Sequence, residues 1–188
     1  MRHKSLLRTI LEPIAAALAL AVIVRAAVHI YSIPSRSMAP TLEPGDQILV
    51  TRYLTDEPQR GHVVVFEGRN ELLVKRVIAV PGDLVDSRLG RVRVGGYTLA
   101  EPYVLRPAAS GAIDAQVIPS ESYYVLGDNR DDSVDSRSWG VVPRERIVGR
   151  ARMVLWSSAS SREVVHAAQE TPEPAVTRHR SGLFKWID

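Results

Sequence analysis

Apolar positions fall into two regimes along the chain. Residues 10–33 are mostly apolar and alanine-rich, with no polar face returning at helical spacing. From residue 47 onward, Val, Ile, Leu and Tyr come in short runs, each closed by a turn signal. The first regime predicts a single helix of membrane-spanning length, since about 20 apolar residues cross a bilayer. The second predicts strands at 47–52, 62–67, 72–80, 84–87, 91–94, 97–100, 122–126 and 146–155. Pro44-Gly45-Asp46, Pro81-Gly82-Asp83, Gly95-Gly96 and Gly127-Asp128-Asn129 supply the intervening turns. Many short strands joined in this way imply a mostly β chain built on antiparallel sheets or a barrel.

Polar residues inside the apolar run refine the first element. Glu12 lies near its inner end, and Arg25 and His29 fall in its last third, where long side chains can snorkel to an interface. Tyr31 suits the outer interface. Arg2, Lys4 and Arg8 make the preceding residues basic, which favours a cytoplasmic head and an extracytoplasmic remainder. The organisation expected is a basic head at 1–9, a transmembrane helix at 10–33, an extracytoplasmic β domain at 34–156 and a poorly ordered Ser-, Pro- and Glu-rich tail at 157–188. A cleaved signal peptide is an alternative for the apolar run, but the run is longer than the usual apolar region of one. A buried core helix is another. The last apolar group, Leu183 to Ile187, has three possible fates: touching a membrane, touching the body of the protein, or neither.

Composition narrows the class. A length of 188 residues, 45% of them hydrophobic, allows one main domain with a real core plus appendages. The net charge of +3 is spread among interleaved acidic residues, with no aromatic–basic stripe, so nucleic acid is not an expected partner. The chain has no cysteine, which excludes disulfides and thiolate metal sites.

Three groups of residues carry candidate chemistry. Lys75 sits in the apolar run from Leu72 to Val80, with Leu73 and Val77 as same-face neighbours on a strand. An isolated strand lysine is often an exposed guard against edge pairing. Here both alternating faces are apolar, which points to a covered strand and a desolvated amine. An unperturbed lysine, with a pKa of ~10.4, leaves the amine free in only about one molecule in a few thousand at neutral pH; burial lowers that pKa. About forty residues upstream, Ser35 and Ser37 lie in a loop bracketed by Pro34 and Pro40. Alone, that loop reads as an ordinary polar connection. The third group runs from Gly127 to Gly140, where aspartates and arginines interleave with serines. It lacks the central glycine and terminal glutamate of a calcium-binding EF-hand loop. A self-supporting Asp–Arg network is the better reading.

Taken in order, these residues resemble the type I signal peptidases, Ser/Lys membrane proteases. Pro34 to Leu42 is similar to the nucleophile motif of that family, Val74 to Asp83 to its lysine motif, and Gly127 to Gly140 to its third motif. The resemblance covers most of residues 10–155. It implies a β catalytic core with a small inserted β region at 84–122. It further implies Ser37 as nucleophile, Lys75 as general base, Ser35 as an oxyanion-hole donor and Ser133 as the residue that orients the lysine by a hydrogen bond. Arg76 with Asp128, and Asp135 with Arg137, are implied as structural support, and Met38 as a substrate contact. No metal or organic cofactor is implied. The implied partners are the signal peptides of exported preproteins and a lipid bilayer, and the implied location is the bacterial inner membrane with the catalytic domain on the periplasmic side. Ala79 stands where many members carry glycine.

Competing readings remain. Soluble self-cleaving Ser/Lys regulators share the dyad but carry a DNA-binding region, and no helix-turn-helix pattern occurs here. A specialised maturation peptidase for one secretion or conjugation substrate is indistinguishable from a general one by sequence. An organellar peptidase lacks support, because no Arg- and Ser-rich transit segment precedes the apolar run. A non-catalytic tethered binding module would have no use for Ser35, Ser37, Lys75 and Ser133 together.

Overall fold

The computed structural model describes residues 3–104, 106, 111–157 and 185–187. It begins with helix α1, His3–Ala27, and continues almost entirely in strands. These are β1 (Val28–Ser32), β2 (Gln47–Thr51), β3 (Val63–Glu67), β4 (Leu72–Ala79), β5 (Leu84–Arg88) and β6 (Arg91–Val94). They are followed by β7 (Tyr97–Thr98), β8 (Gln116–Val117), β9 (Ser122–Leu126), β10 (Val142–Pro143), β11 (Ile147–Trp156) and β12 (Lys185–Trp186). One short helix, α2 (Ser136–Trp139), sits between β9 and β10. The mostly β, antiparallel architecture agrees with the sequence expectation.

The main sheet has eight strands in the order β1-β2-β11-β3-β4-β9-β10, with β12 added against β11. Strand β11 organises it. The first half pairs with β3, the second half pairs with β2, and Met153 and Val154 pair with β12. Glycine is required at position 149 for space: a Cβ there would run into the backbone of Thr51 across the β2–β11 pair. Both faces of the central strands are covered. On β3, Val63 and Val65 enter one hydrophobic cluster, with Met38, Leu42, Ile48 and Val50, while Val64 and Phe66 enter another, with Val77, Val125 and Ile147. Continuous apolar runs rather than strict alternation are what a sheet covered on both faces requires.

A second, four-stranded sheet in the order β7-β6-β5-β8 is formed by residues between β4 and β9. Val85, Val92 and Val94 on it pack with Ile78, Tyr124 and Leu126 of the main sheet, in a third cluster. The second sheet is thereby fixed to the strands that carry Lys75 and the third motif.

Two sequence expectations change. The apolar run is not one helix to residue 33. It becomes strand at Val28, because Val28 to Ser32 pair antiparallel with β2 over five positions, Val28↔Thr51 to Ser32↔Gln47. The β-branched and aromatic residues there gain more from a pleated, half-buried surface than from continuing a helix. Tyr31 is accordingly half-buried against the core cluster. Among the described residues no helix is long and apolar enough to cross a membrane. The second change concerns the tail. Residues 158–184 lie outside the described residues, but Ser157 donates to Asp46 Oδ1 at 2.6 Å, and Lys185–Trp186 form a strand. Ile187 is 4% exposed and belongs to the core. The end of the chain therefore docks on the protein body, because Ile187 completes the cluster under β11.

Candidate active site

The site is assembled from three segments, each held by its own local logic. The first is the loop after β1. Its neck is closed by hydrogen bonds from Ile33 N to Asp46 O and from Gly45 N to Ile33 O, both 2.8 Å. The side chain of Asp46 caps the loop by accepting from Glu43 N at 2.9 Å. Inside the loop, Met38 and Leu42 are buried in the core at 1% and 0% exposure. With its neck tied and two apolar anchors below, the loop holds Ser37 in one place. Met38 is thus a packing residue. Its side chain is enclosed by the cluster of Ile33, Leu42 and Ile48, which leaves its backbone for the substrate contact expected at this position.

The second segment is β4, which runs between β3 and β9. Lys75, 3% exposed, faces the loop, and its Nζ lies 2.7 Å from Ser37 Oγ. The nitrogen also donates to Val74 O at 3.1 Å. Burial lowers the Lys75 pKa, and the carboxylates of Asp135, Glu71 and Asp128 oppose the shift without cancelling it. When the amine is neutral, the Ser37 hydroxyl donates and the nitrogen lone pair accepts. Ser35 Oγ sits 3.2 Å from Ser37 Oγ. Among the described residues the backbone N–H of Ser37 has no hydrogen-bond acceptor, so it is free to donate into the site.

The third segment, the turn from Gly127 to Gly140, braces the loop from behind. Asn129 N donates to Ser37 O at 3.1 Å, and Asn129 Nδ2 donates to Arg36 O at 3.2 Å. Gly127 is packed so closely that a Cβ would meet Ser37 O at 2.5 Å and the Ser133 side chain. Asp135 gathers the turn: it accepts from Gly127 N at 3.0 Å, Ser133 Oγ at 2.8 Å, and Arg137 Nε and Nη2 at 2.7 and 2.8 Å. Burial alone would raise the Asp135 pKa, but the bonds from Arg137, Gly127 N–H and Ser133 outweigh it and hold the carboxyl low. Ser133 therefore donates its hydrogen bond to Asp135, and among the described residues it forms none with Lys75. The carboxylate is the stronger acceptor, and it has claimed the hydroxyl.

Arg76, next to Lys75, points to the opposite face. It is 1% exposed and grips Asp128 with two bonds of 2.9 and 2.8 Å. It also donates to Gly61 O at 2.8 Å and lies 4.0 Å above the Tyr103 ring. Thr41 Oγ1 donates to Asp128 Oδ2 at 2.5 Å, so this pair ties the Ser37 loop to β4 and to the third segment. Sequence reasoning missed a second buried pair. Arg130 donates to both oxygens of Glu101, at 2.5 and 3.1 Å, and to Gly127 O at 2.9 Å. Glu101 follows a short strand of the second sheet, and no local pattern links it to Arg130. Among the described residues no group of His, Asp or Glu side chains could hold a metal ion.

The site thus sets a serine hydroxyl against a buried lysine whose pKa is lowered, with the Ser37 N–H and the Ser35 hydroxyl alongside, on a mostly β fold. Residues 6–156 match the family described as signal peptidase, peptidase S26, and the chain belongs to that family. It is 40% identical over 136 residues to signal peptidase I of Leptolyngbya laminosa, across 66% of this chain and 66% of that protein. It is 34% identical over 173 residues to signal peptidase IB of Staphylococcus aureus strain Mu50, across 81% of this chain and 91% of that one. A solved signal peptidase I from Enterococcus faecalis shares 28% identity over 50% of this chain and 97% of that one, with a TM-score of 0.44. The chain spans about two thirds of the length of the cyanobacterial relative.

Proposed function

We propose that the chain is a membrane-anchored serine endopeptidase that removes signal peptides from exported preproteins. The observation that carries this reading is the 2.7 Å contact between Ser37 Oγ and a Lys75 amine that burial disposes to neutrality. Ser37 attacks the carbonyl carbon of the scissile bond as its proton passes to Lys75. The Ser37–carbonyl bond forms, and the resulting oxyanion is held by the Ser37 N–H and the Ser35 hydroxyl, which turns from Ser37 Oγ to face it. The Lys75 ammonium then protonates the departing amine as the peptide bond breaks. A water, deprotonated in turn by Lys75, hydrolyses the acyl-enzyme. The Asp128–Arg76 pair keeps the loop and strand in register, and the Asp135 network keeps the bracing turn closed. Ser133 adds its role indirectly: with Arg137 and Gly127 N–H it holds the Asp135 carboxylate, which acts on Lys75 through its charge and not through a hydrogen bond.

The anchor in this reading is α1. Its Ile10, Leu11, Ile14, Leu18, Leu20 and Val22 are each more than half exposed, with no protein covering them, and a lipid surround would bury them. The catalytic domain then lies on the extracytoplasmic face, where a preprotein held by its own signal segment arrives at high effective concentration. The test is cleavage of an exported precursor by the wild-type chain, Ser37→Ala and Lys75→Ala. Cleavage by wild type alone supports the reading. Turnover by a folded Lys75→Ala protein would assign the proton transfer to another group and end the Ser/Lys mechanism.

A further inference from the structure

The β5–β6 hairpin of the second sheet carries features that the peptidase chemistry does not use. It turns through Leu89 and Gly90, with φ of 52° and 73°. Such two-residue turns favour Asn-Gly, and leucine is an uncommon occupant of the left-handed region. This leucine is also 89% exposed, so the strained position gains no burial in return. Arg88 and Arg91 flank it and stand directly opposite one another in the register. Like charges facing each other across a strand pair destabilise it. Neither arginine side chain has a hydrogen bond or ion pair with any described residue. Two positions further along the same face, Arg93 is partnered by Asp86 at 3.4 Å. The three arginines, with Leu89, Gly96 and Thr98, line one concavity of about 330 Å³. Tyr97, on the neighbouring turn, is 82% exposed.

We infer that this hairpin tip is a docking site for anionic phospholipid headgroups. A guanidinium fork matches phosphate oxygens, so a headgroup relieves the repulsion between Arg88 and Arg91. Leu89, projecting between them, enters the acyl boundary while the arginines remain at the phosphates, and Tyr97 suits the same level. An acidic peptide would satisfy the arginines equally but would leave the exposed leucine without a purpose, which favours lipid. The docking is independent of the Ser/Lys chemistry. It gives the catalytic domain a second point of attachment to a bilayer and so fixes its tilt over the surface.

The chain has no cysteine, so Leu89→Cys introduces a unique thiol for an environment-sensitive fluorophore. The full-length labelled protein is reconstituted in phosphatidylcholine vesicles with or without phosphatidylglycerol, and flotation establishes that it resides on both. With phosphatidylglycerol, the emission shifts to the blue and is quenched by doxyl-labelled acyl chains; with phosphatidylcholine alone, neither occurs. Arg88→Gln combined with Arg91→Gln lowers the docking equilibrium constant roughly 30-fold, at about 1 kcal/mol for each basic residue near an anionic surface. The same double substitution leaves precursor cleavage in detergent unchanged. Labelling at Tyr97→Cys gives the same pattern and guards against a local defect at position 89. A label insensitive to phosphatidylglycerol, an equal response in the Arg88→Gln/Arg91→Gln protein, or a response to an acidic peptide in detergent that matches the response to vesicles, would each overturn the inference. Failure of the protein to float would instead fault the anchoring by α1.

Discussion

Replacing Gly127 by alanine should cripple the site while leaving the fold standing. The single added methyl would lie 2.5 Å from the carbonyl oxygen of Ser37, about 0.9 Å short of the 3.4 Å at which ordinary contact begins. It would also press on Ser133, whose hydroxyl is fixed by Asp135. Neither neighbour is the loose end of a flexible side chain, so the nucleophile loop has to move outward by most of an ångström. A displacement of that size in a positioned reactant costs on the order of 100-fold in rate. Overpacking itself costs about 1–3 kcal/mol of stability. Gly149→Ala is the matching control. Its methyl would collide with Thr51 across the β2–β11 pair, away from Ser37, so it should lose stability without losing rate per folded molecule. The assay is single-turnover precursor cleavage, alongside a urea unfolding curve for each protein. A Gly127→Ala protein that cleaves at the wild-type rate would show that the turn does not position Ser37. Equal rate losses in both variants would show that general destabilisation, not local geometry, is responsible.

Three further outcomes follow from the same geometry. Ser35→Ala should slow cleavage by about 10²–10³ without abolishing it, because the Ser37 N–H remains as a donor; the rate in single-turnover cleavage checks this. Cleavage should rise with pH as Lys75 loses its proton, at a pH below that of an ordinary lysine, because burial lowers its pKa. Glu71 is exposed and pulls that pKa upward, so Glu71→Gln should move the rising limb of the pH–rate profile to lower pH; a shift the other way would contradict the electrostatics. Lys75→Met should abolish cleavage yet stabilise the protein against urea near neutrality. Folding lowers the Lys75 pKa, so the wild-type protein loses stability as pH falls from the ordinary lysine value through the folded one, and the variant does not. The stability gap between the two should therefore widen as pH drops through that window and close above it.

Strands were legible where a run of Val, Ile or Tyr was bounded by turn residues. The expected 91–94 and 122–126 coincide with Arg91–Val94 and Ser122–Leu126, and 72–80 overshoots Leu72–Ala79 by one residue. Strand β1 was hidden because Val28 to Ser32 continue an apolar run with no Gly or Pro to mark the change from helix. Strands β8 and β10 have two residues each, too few to show a period of two. Within the site, the covered position of Lys75 could be read from the apolar neighbours on both faces of its strand. The orientation of the Ser133 hydroxyl could not, because it depends on a competition between Asp135 and Lys75 that only the folded turn decides. Glu101 was invisible for a related reason: its partner, Arg130, is 29 positions away and in a different segment.

Adjacent residues of β4 show how one strand places two cations in the interior with opposite consequences. Lys75 and Arg76 are buried to a similar degree, at 3% and 1% exposure. A guanidinium cannot shed its proton in the physiological range, so its burial demands a counter-charge. Arg76 has one: Asp128 supplies two bonds, with Gly61 O and the Tyr103 ring completing the shell. An ammonium has another way out, because it can deprotonate. Among the described residues Lys75 has no carboxylate in hydrogen-bond contact, only a hydroxyl and a backbone carbonyl, and the nearby Asp135 is already engaged by Arg137, Gly127 and Ser133. The Asp135 network thus serves Lys75 by withholding a partner. If Asp135 turned toward the lysine, it would form a salt bridge and raise the pKa, and the proposed base would stay protonated. The two aspartates of the third segment that bear on Lys75 are best understood in that light: Asp135 is engaged by Arg137 within the segment and Asp128 by Arg76 on β4, so that among the described residues neither is hydrogen-bonded to the amine.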